Sequence, residues 1–331
     1  MSVQLGFWEV PPPPDDPKAL PDEALAGFVW SYSRRSVFEQ CVRRYYYEYF
    51  GANKRTAKQD PNKEILHLLK QIPNRHERAG QILHLVIGTY LRKCQEGDVW
   101  EANRLVKWAQ DMIHRDTEYS QSDPSGENSP TGKFPPLLLH EFYYQLQDAL
   151  DQYRETEERL ISAITSFATE EKYEEFRVAG ATPGSLIEKS FKLRDVLPFC
   201  IEGKIDLAYL RGSKVTVVDW KLGFEDGTGD DSLQLATYAL WATNHFQCSP
   251  DSARICKVHF GSGTVVDFSL NQEVLDDAQA RILQDAERMI ALDHHGRQST
   301  VRAFTPCIQP RVCTACSFLK VCPEGKDKLN D

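Results

Sequence analysis

Two short runs constrain this chain more than anything else in it: Gly203–Leu210, "GKIDLAYL", and Lys214–Leu222, "KVTVVDWKL". In the first, Ile205, Leu207 and Tyr209 alternate with Asp206, Ala208 and Leu210. In the second, Thr216, Val218 and Trp220 alternate with Val217, Asp219 and Lys221. Both have the two-residue period of β-strands. The Gly212-Ser213 pair between them suits a tight hairpin turn. Pairing across that turn sets Arg211 opposite Lys214 and, in the same register, Asp206 opposite Asp219, with side chains about 4.5–5.5 Å apart on one face. Val215, Val217 and Val218 mark the second strand as buried, and a buried carboxylate pair requires a positive partner. Oxygen ligands suit magnesium or manganese. Lys221 projects from the same face as Asp219, about 7 Å further along the strand. The bland alternative is an edge hairpin whose charges stand in water.

The rest of the chain narrows the class. No apolar run approaches the ~20 residues needed to span a bilayer, so no membrane partner is expected. The start, "MSVQLGFWEVPPPPDDP", lacks the cationic and apolar regions of a signal peptide, which predicts a cytoplasmic protein. Nine cysteines in that compartment read as thiols or metal ligands. A net charge of −9 argues against a uniformly basic nucleic-acid binder. The charge is uneven, however. Residues 34–93 carry 13 Lys/Arg against 5 Asp/Glu, and residues 141–177 carry 4 against 10, so the basic third could line a phosphate track while the acidic helix faces water.

Periodicity predicts helices over Ser36–Phe50, Glu77–Lys93, Trp100 to about 120, Pro136–Phe176 (one or two), Asp231–His245 and Asn271–Leu292. It predicts strands at Ser185–Leu193, Gly203–Leu210 and Lys214–Leu222, and a hairpin over Ile255–Leu270 around "GSG". "PPPPDD" reads as an extended arm, and "SQSDPSGENSPTGK" as a mobile loop. On the helix Glu77–Lys93, His84 has Gly80 and Gly88 one turn away on either side, so another element could approach closely there. Gln234 and Tyr238 share a helix face at i and i+4.

Taken in order, Gly80-x-x-x-His84, Gly203-Lys204-Ile205-Asp206, Val218-Asp219-Trp220-Lys221 and Gln234-x-x-x-Tyr238 resemble the RecB-like branch of the PD-(D/E)XK nuclease superfamily. The resemblance covers roughly Ser36 to the C-terminus, leaving residues 100–176 as an insertion without a counterpart. It implies an α/β fold with a central mixed sheet flanked by helices. It also implies that His84, Asp206, Asp219 and the backbone carbonyl of Trp220 bind magnesium or manganese. Lys221 would orient or deprotonate the attacking water, Gln234 and Tyr238 would hold the substrate strand, and Glu188 would assist as an outer acid. Divalent-metal chemistry suits phosphodiester hydrolysis on independent grounds, because it supplies a polarised phosphoryl oxygen and a nucleophile at neutral pH.

The tail Cys313-x-x-Cys316-x5-Cys322, with Cys41 in "FEQCVRRYYYEYF", resembles the iron–sulfur subset of that family, which includes AddB-type subunits and the CRISPR-adaptation nucleases. The resemblance implies a 4Fe–4S cluster that staples the chain ends together. Thiolates also suit zinc, and Cys307, Cys313, Cys316 and Cys322 make a competing local four-cysteine set. Cys94, Cys200, Cys248 and Cys256 lack ligand spacing and read as packing residues.

The division that follows is a proline-rich arm (1–34), a helical part with Cys41 and His84 (35–176), a nuclease core (177–300) and a cysteine tail (301–331). The expected function is a metal-dependent DNA nuclease, exonuclease before endonuclease, acting on single strands or ends in repair, recombination or mobile-element defence. Arg43 and Arg44 would face DNA, and a helicase or other DNA-processing subunit is a candidate partner. The alternatives are a catalytically silent DNA-binding or assembly module of the same fold and a zinc-stabilised RNA-processing nuclease.

Overall fold

The computed structural model describes residues 25–52, 62–128, 130–223, 232–296 and 301–326. "PPPPDD" lies outside them. The centre of the fold is a mixed six-stranded sheet. Its strands are β1 (Val29–Trp30), β2 (Leu186–Leu193), β3 (Cys200–Arg211), β4 (Lys214–Lys221), β5 (Ala253–His259) and β6 (Thr264–Phe268). β3 and β4 form the anticipated hairpin: Arg211 pairs with Lys214 and Leu207 with Val218, around a turn in which Gly212 has φ 63°. That left-handed conformation suits glycine. β4 then runs parallel to β5, with Asp219 beside Lys257 and Lys221 beside His259, and β6 closes the edge antiparallel.

On one flank of β3, β2 pairs from Ile201 to Ala208. On the other, β1 pairs at Cys200 and Ile201 and β4 from Leu207 onward. Residues 202–206 are therefore without a strand partner on that second flank, among the described residues. Asp206 stands at the closed end of this fork.

The helices are α1 (Tyr32–Gln40), α2 (Val42–Tyr46), α3 (Lys63–Leu69), α4 (Arg75–Gln95), α5 (Ala102–Ser122), α6 (His140–Tyr143), α7 (Ala149–Thr169), α8 (Glu174–Ala181), α9 (Ser232–Phe246), α10 (Gln272–Gly296), α11 (Pro310–Thr314) and α12 (Pro323–Lys326). One core joins the α9–α10 side of the sheet to the N-terminal aromatic residues and the tail. The other joins the opposite face to α4, α5 and α7. α4 starts on an Asn74–Glu77 capping box and buries Ile82, Leu83, Val86, Ile87 and Leu91 along one stripe.

Three expectations change. Phe28 and Trp30 are core residues and β1 is part of the sheet, so residues 28–34 belong to the folded core and not to an extended arm. The single helix expected over Ser36–Phe50 breaks at Cys41, whose backbone is extended (φ −163°, ψ 111°) and whose sulfur accepts the N–H groups of Arg44 and Cys307. The helix expected from Pro136 is delayed. The N–H of Leu137 is taken by Asp116 and that of Leu139 by Ser120, and left-handed Gln145 and Asp148 separate α6 from α7. The loop before it is tied by Asp123, whose carboxylate accepts from Ser125, Glu127 and Asn128.

Candidate active site

Strand alternation changes phase at Asp206. Ile201 and Ile205 pack in the same core as Ala208, whereas Leu207 and Tyr209 pack in the other. β2 makes the matching change: Ile187 packs on the second core, and Phe191 and Leu193 belong to the first. Between them Glu188, across from Asp206, has φ 52°. A non-glycine residue held there stores roughly 1–3 kcal/mol of strain that the surrounding packing must offset. The result is that the Glu188 and Asp206 carboxylates both meet His84 on α4. His84 Nδ1 lies 3.0 Å from Asp206 Oδ1 and 3.5 Å from Glu188 Oε1.

The glycines nearby admit this approach. A Cβ on Gly88 would stand 2.6 Å from Glu188 Cγ, and one on Gly203 would stand 2.4 Å from the Phe191 ring. The glycine of "G-x-I-D" is thus the space Phe191 occupies. Gly80 has no close neighbour, so only one of the two glycines flanking His84 is needed for the approach.

On β4, Trp220 sends its ring into the α4–α8 side, against Phe167, Phe176 and Phe260. Its N–H donates to Asp206 Oδ2 at 2.8 Å, replacing the next rung of the β3–β4 ladder. Asp219 and Lys221 therefore project on the opposite side. The Lys221 ammonium is 3.0 Å from Asp219 Oδ2 and donates to Gln234 Oε1 at 3.2 Å. Gln234 Nε2 donates to the Tyr238 hydroxyl at 3.0 Å, which donates to Asp219 Oδ1 at 3.2 Å.

Burial alone would lower the His84 pKa, but Asp206 and Glu188 outweigh it and raise it to about 10. Burial pushes Asp206 up, with His84 opposing and the neighbouring Asp219 and Glu188 charges adding to the rise. Burial also acts upward on Glu188, yet the neighbouring His84 and Lys204 hold it below the usual carboxylate value. Glu188 pairs with Lys204 through its other oxygen.

These residues fit a divalent cation. Among the described residues, His84, Glu188 and Asp206 form the group of metal-ligating side chains whose ligand atoms all lie within 4.8 Å of one another. Glu188 Oε1 and Asp219 Oδ2 are buried outside hydrogen-bonding geometry. Each has a basic side chain nearby, His84 at 3.5 Å and Lys221 at 3.0 Å, but no hydrogen bond, and metal coordination is one way to satisfy such an oxygen.

The profile of the PD-(D/E)XK nuclease superfamily matches residues 29–323. The chain belongs to this superfamily. No curated protein matches it. The superfamily's members are nucleases that generally use Mg2+ or Mn2+. In this nuclease fold the matched span takes in β1 and the cysteine tail as well as the sheet, and no helix among the described residues is long and apolar enough to cross a membrane.

At the tail, Cys41, Cys307, Cys313, Cys316 and Cys322 line one small pocket with Arg43, Arg44 and Tyr47. Burial pushes the Cys316 thiol up to about 12 and that of Cys322 to about 11. The segment around α6 clamps the same tail. His140 Nε2 is 2.9 Å from the Thr314 carbonyl, and the Tyr144 hydroxyl donates to the Ser317 carbonyl at 2.7 Å. Part of the 100–176 insertion is therefore a buttress for the cysteines.

Two expected nucleic-acid contacts are spent internally. Arg43 is buried, donating to the Phe304 carbonyl at 2.6 Å and to Glu324 at 3.2 Å, so it ties α2 to the tail instead of facing DNA. Arg44 is held by Glu48 and Glu77. Gln234 and Tyr238 point inward at Lys221 and Asp219. Sequence reasoning gave Glu188 only an outer role. Its left-handed backbone has no sequence signature, although the glycine at 88 was a usable signal of close approach.

Proposed function

We propose that the protein is a metal-dependent DNA nuclease that hydrolyses phosphodiester bonds of single strands or strand ends, working as an exonuclease. The observation that carries this is the convergence of His84, Glu188 and Asp206 at the open fork of β3 and β4, with Asp219 and Lys221 on the adjoining strand. His84, Asp206, Asp219 and the Trp220 carbonyl would hold the cation, with Glu188 beside them. A bound divalent cation would polarise a phosphoryl oxygen and supply a nucleophile from water at neutral pH. Lys221, held by Asp219 but one-third exposed, would orient the attacking water and face the charge developing on the phosphate.

The cysteine pocket favours a 4Fe–4S cluster on Cys41, Cys313, Cys316 and Cys322. Cys41 lies with the tail cysteines in that one pocket, which supports a ligand set joining the N-terminal part of the chain to the tail. Repair, recombination or mobile-element defence, alongside a helicase or other DNA-processing subunit, is the setting this activity suits.

The test is cleavage of end-labelled single- and double-stranded DNA by anaerobically purified protein, with Mg2+, Mn2+ or EDTA. Cleavage should need a metal, with Mn2+ at least as effective as Mg2+ because His84 offers nitrogen. Asp219→Ala and Lys221→Ala should each abolish it while DNA binding persists. Wild-type cleavage rates in both variants would rule the site out.

A further inference from the structure

We propose that Gln234 and Tyr238 are positioning residues for the Asp219–Lys221 pair, and that they do not take the nucleic acid. The inference rests on the metal-dependent nuclease reading of this site. Four contacts make a closed ring: Lys221 with Asp219 at 3.0 Å, Lys221 with Gln234 at 3.2 Å, Gln234 with Tyr238 at 3.0 Å, and Tyr238 with Asp219 at 3.2 Å.

Donation starts at Lys221 and ends at Asp219 along both arms, directly and through Gln234 and Tyr238. The lysine ammonium can only donate, so it faces the Gln234 carbonyl oxygen. That fixes the amide with its NH2 toward Tyr238, whose oxygen accepts and whose proton is then directed to the Asp219 carboxylate. Each group finds the complementary partner without any group being left to rotate. Tyr238 is 6 % exposed. Burial first, and the Asp219 charge second, push its phenol well above the ordinary value, which keeps the donor proton in place. A nucleotide could reach that hydroxyl only by displacing the ring of contacts from inside the core.

The α-helical spacing explains the geometry. Residues i and i+4 on α9 stack along one face, so the amide meets Lys221 while the phenol, one turn deeper, meets Asp219 two residues earlier on β4. Asp219 Oδ1 accepts from Tyr238 at 3.2 Å and from Lys221 at 3.3 Å, while Oδ2 has the same ammonium 3.0 Å away. The phenol, fixed in the core, thereby anchors one carboxylate oxygen and sets the orientation of the group. That is the arrangement a second-row hydrogen bond imposes on a metal-binding carboxylate, and losing such a bond typically costs 10–100-fold in metal affinity or activity.

The test compares wild type with Tyr238→Phe, Gln234→Leu and Gln234→Glu by three measurements. They are Mn2+ affinity by calorimetry without DNA, affinity for a labelled single-stranded oligonucleotide in Ca2+ by anisotropy, and single-turnover cleavage in saturating Mn2+. Tyr238→Phe keeps the packed ring and should weaken Mn2+ by about 10-fold. Gln234→Leu should leave Mn2+ affinity near wild type but slow cleavage about 10–100-fold, and Gln234→Glu, which retains an acceptor for Lys221, should recover part of that loss. Oligonucleotide affinity should stay within about 2-fold throughout, a factor too small for a lost nucleic-acid contact. Unchanged Mn2+ affinity in Tyr238→Phe together with oligonucleotide binding weakened 10-fold or more would overturn the proposal in favour of direct strand contacts. A wild type that binds Mn2+ but cleaves nothing would sink the nuclease reading alone, since the Mn2+ titrations still decide the ring. A wild type that binds no Mn2+ would overturn both.

Discussion

Gly88 and Glu188 cannot both carry a side chain at their present separation: a Cβ on Gly88 would lie 2.6 Å from Glu188 Cγ. The helix that brings His84 to the site is thus smooth one turn further on because the carboxylate of another strand lies across it. Gly88→Ala should push Glu188 out of the His84–Asp206 group while barely altering helix propensity, which alanine improves. We expect Mn2+ affinity to fall about 10-fold by calorimetry, as for loss of a supporting ligand contact. Undiminished affinity would show that Glu188 has no part in holding the cation.

The left-handed backbone at Glu188 can be measured separately from its carboxylate. Glu188→Ala and Glu188→Gly remove the same charge, but only glycine adopts φ 52° freely. The glycine variant should be more stable by about 1–2 kcal/mol in denaturant unfolding. Equal stability, or a more stable alanine variant, would mean that the strand relaxes once the side chain is gone.

His84 gives the metal-free protein a signed pH dependence. Its folded pKa, about 10, lies above the unfolded value near 6.5. The stability it contributes is fully present below about pH 6.5 and lost as pH rises through 10. In EDTA, the stability gap between wild type and His84→Gln should therefore shrink as pH rises from 6 to 10. Mn2+ should restore part of the alkaline loss, since coordination needs the neutral imidazole. A gap that widens with pH would contradict the assigned surroundings.

Cys41 and Cys307 separate the two ligand sets at the tail. Cys307 meets Cys41 through its backbone N–H, and its own sulfur takes the N–H of Gln309, so Cys307→Ser should be mild. Cys41→Ser should lower soluble yield, iron and sulfide content and melting temperature together, because metal held only by the folded state contributes directly to folding. Stoichiometric zinc with a harmless Cys41→Ser change would favour the local four-cysteine site.

The β3–β4 hairpin was legible because its determinants are local. A two-residue turn and a period of two fix the register from Arg211–Lys214 to Leu207–Val218 and the common side of Asp219 and Lys221. The expected Asp206–Asp219 pair lies beyond the ladder, where the alternation changes phase. The helix with His84 was legible for the same reason, from its apolar stripe. Site residues whose orientation depends on distant packing were not. Glu188 reaches His84 only because two paired strands change phase together. Arg43 is buried only because the chain's far end, at Phe304 and Glu324, folds back over α2. Gln234 and Tyr238 share a helix face by sequence, but whether that face meets solvent or the catalytic strand is set by how α9 packs on the sheet. Spacing along a chain states which side chains travel together. What they meet is decided by contacts between segments that no local period encodes.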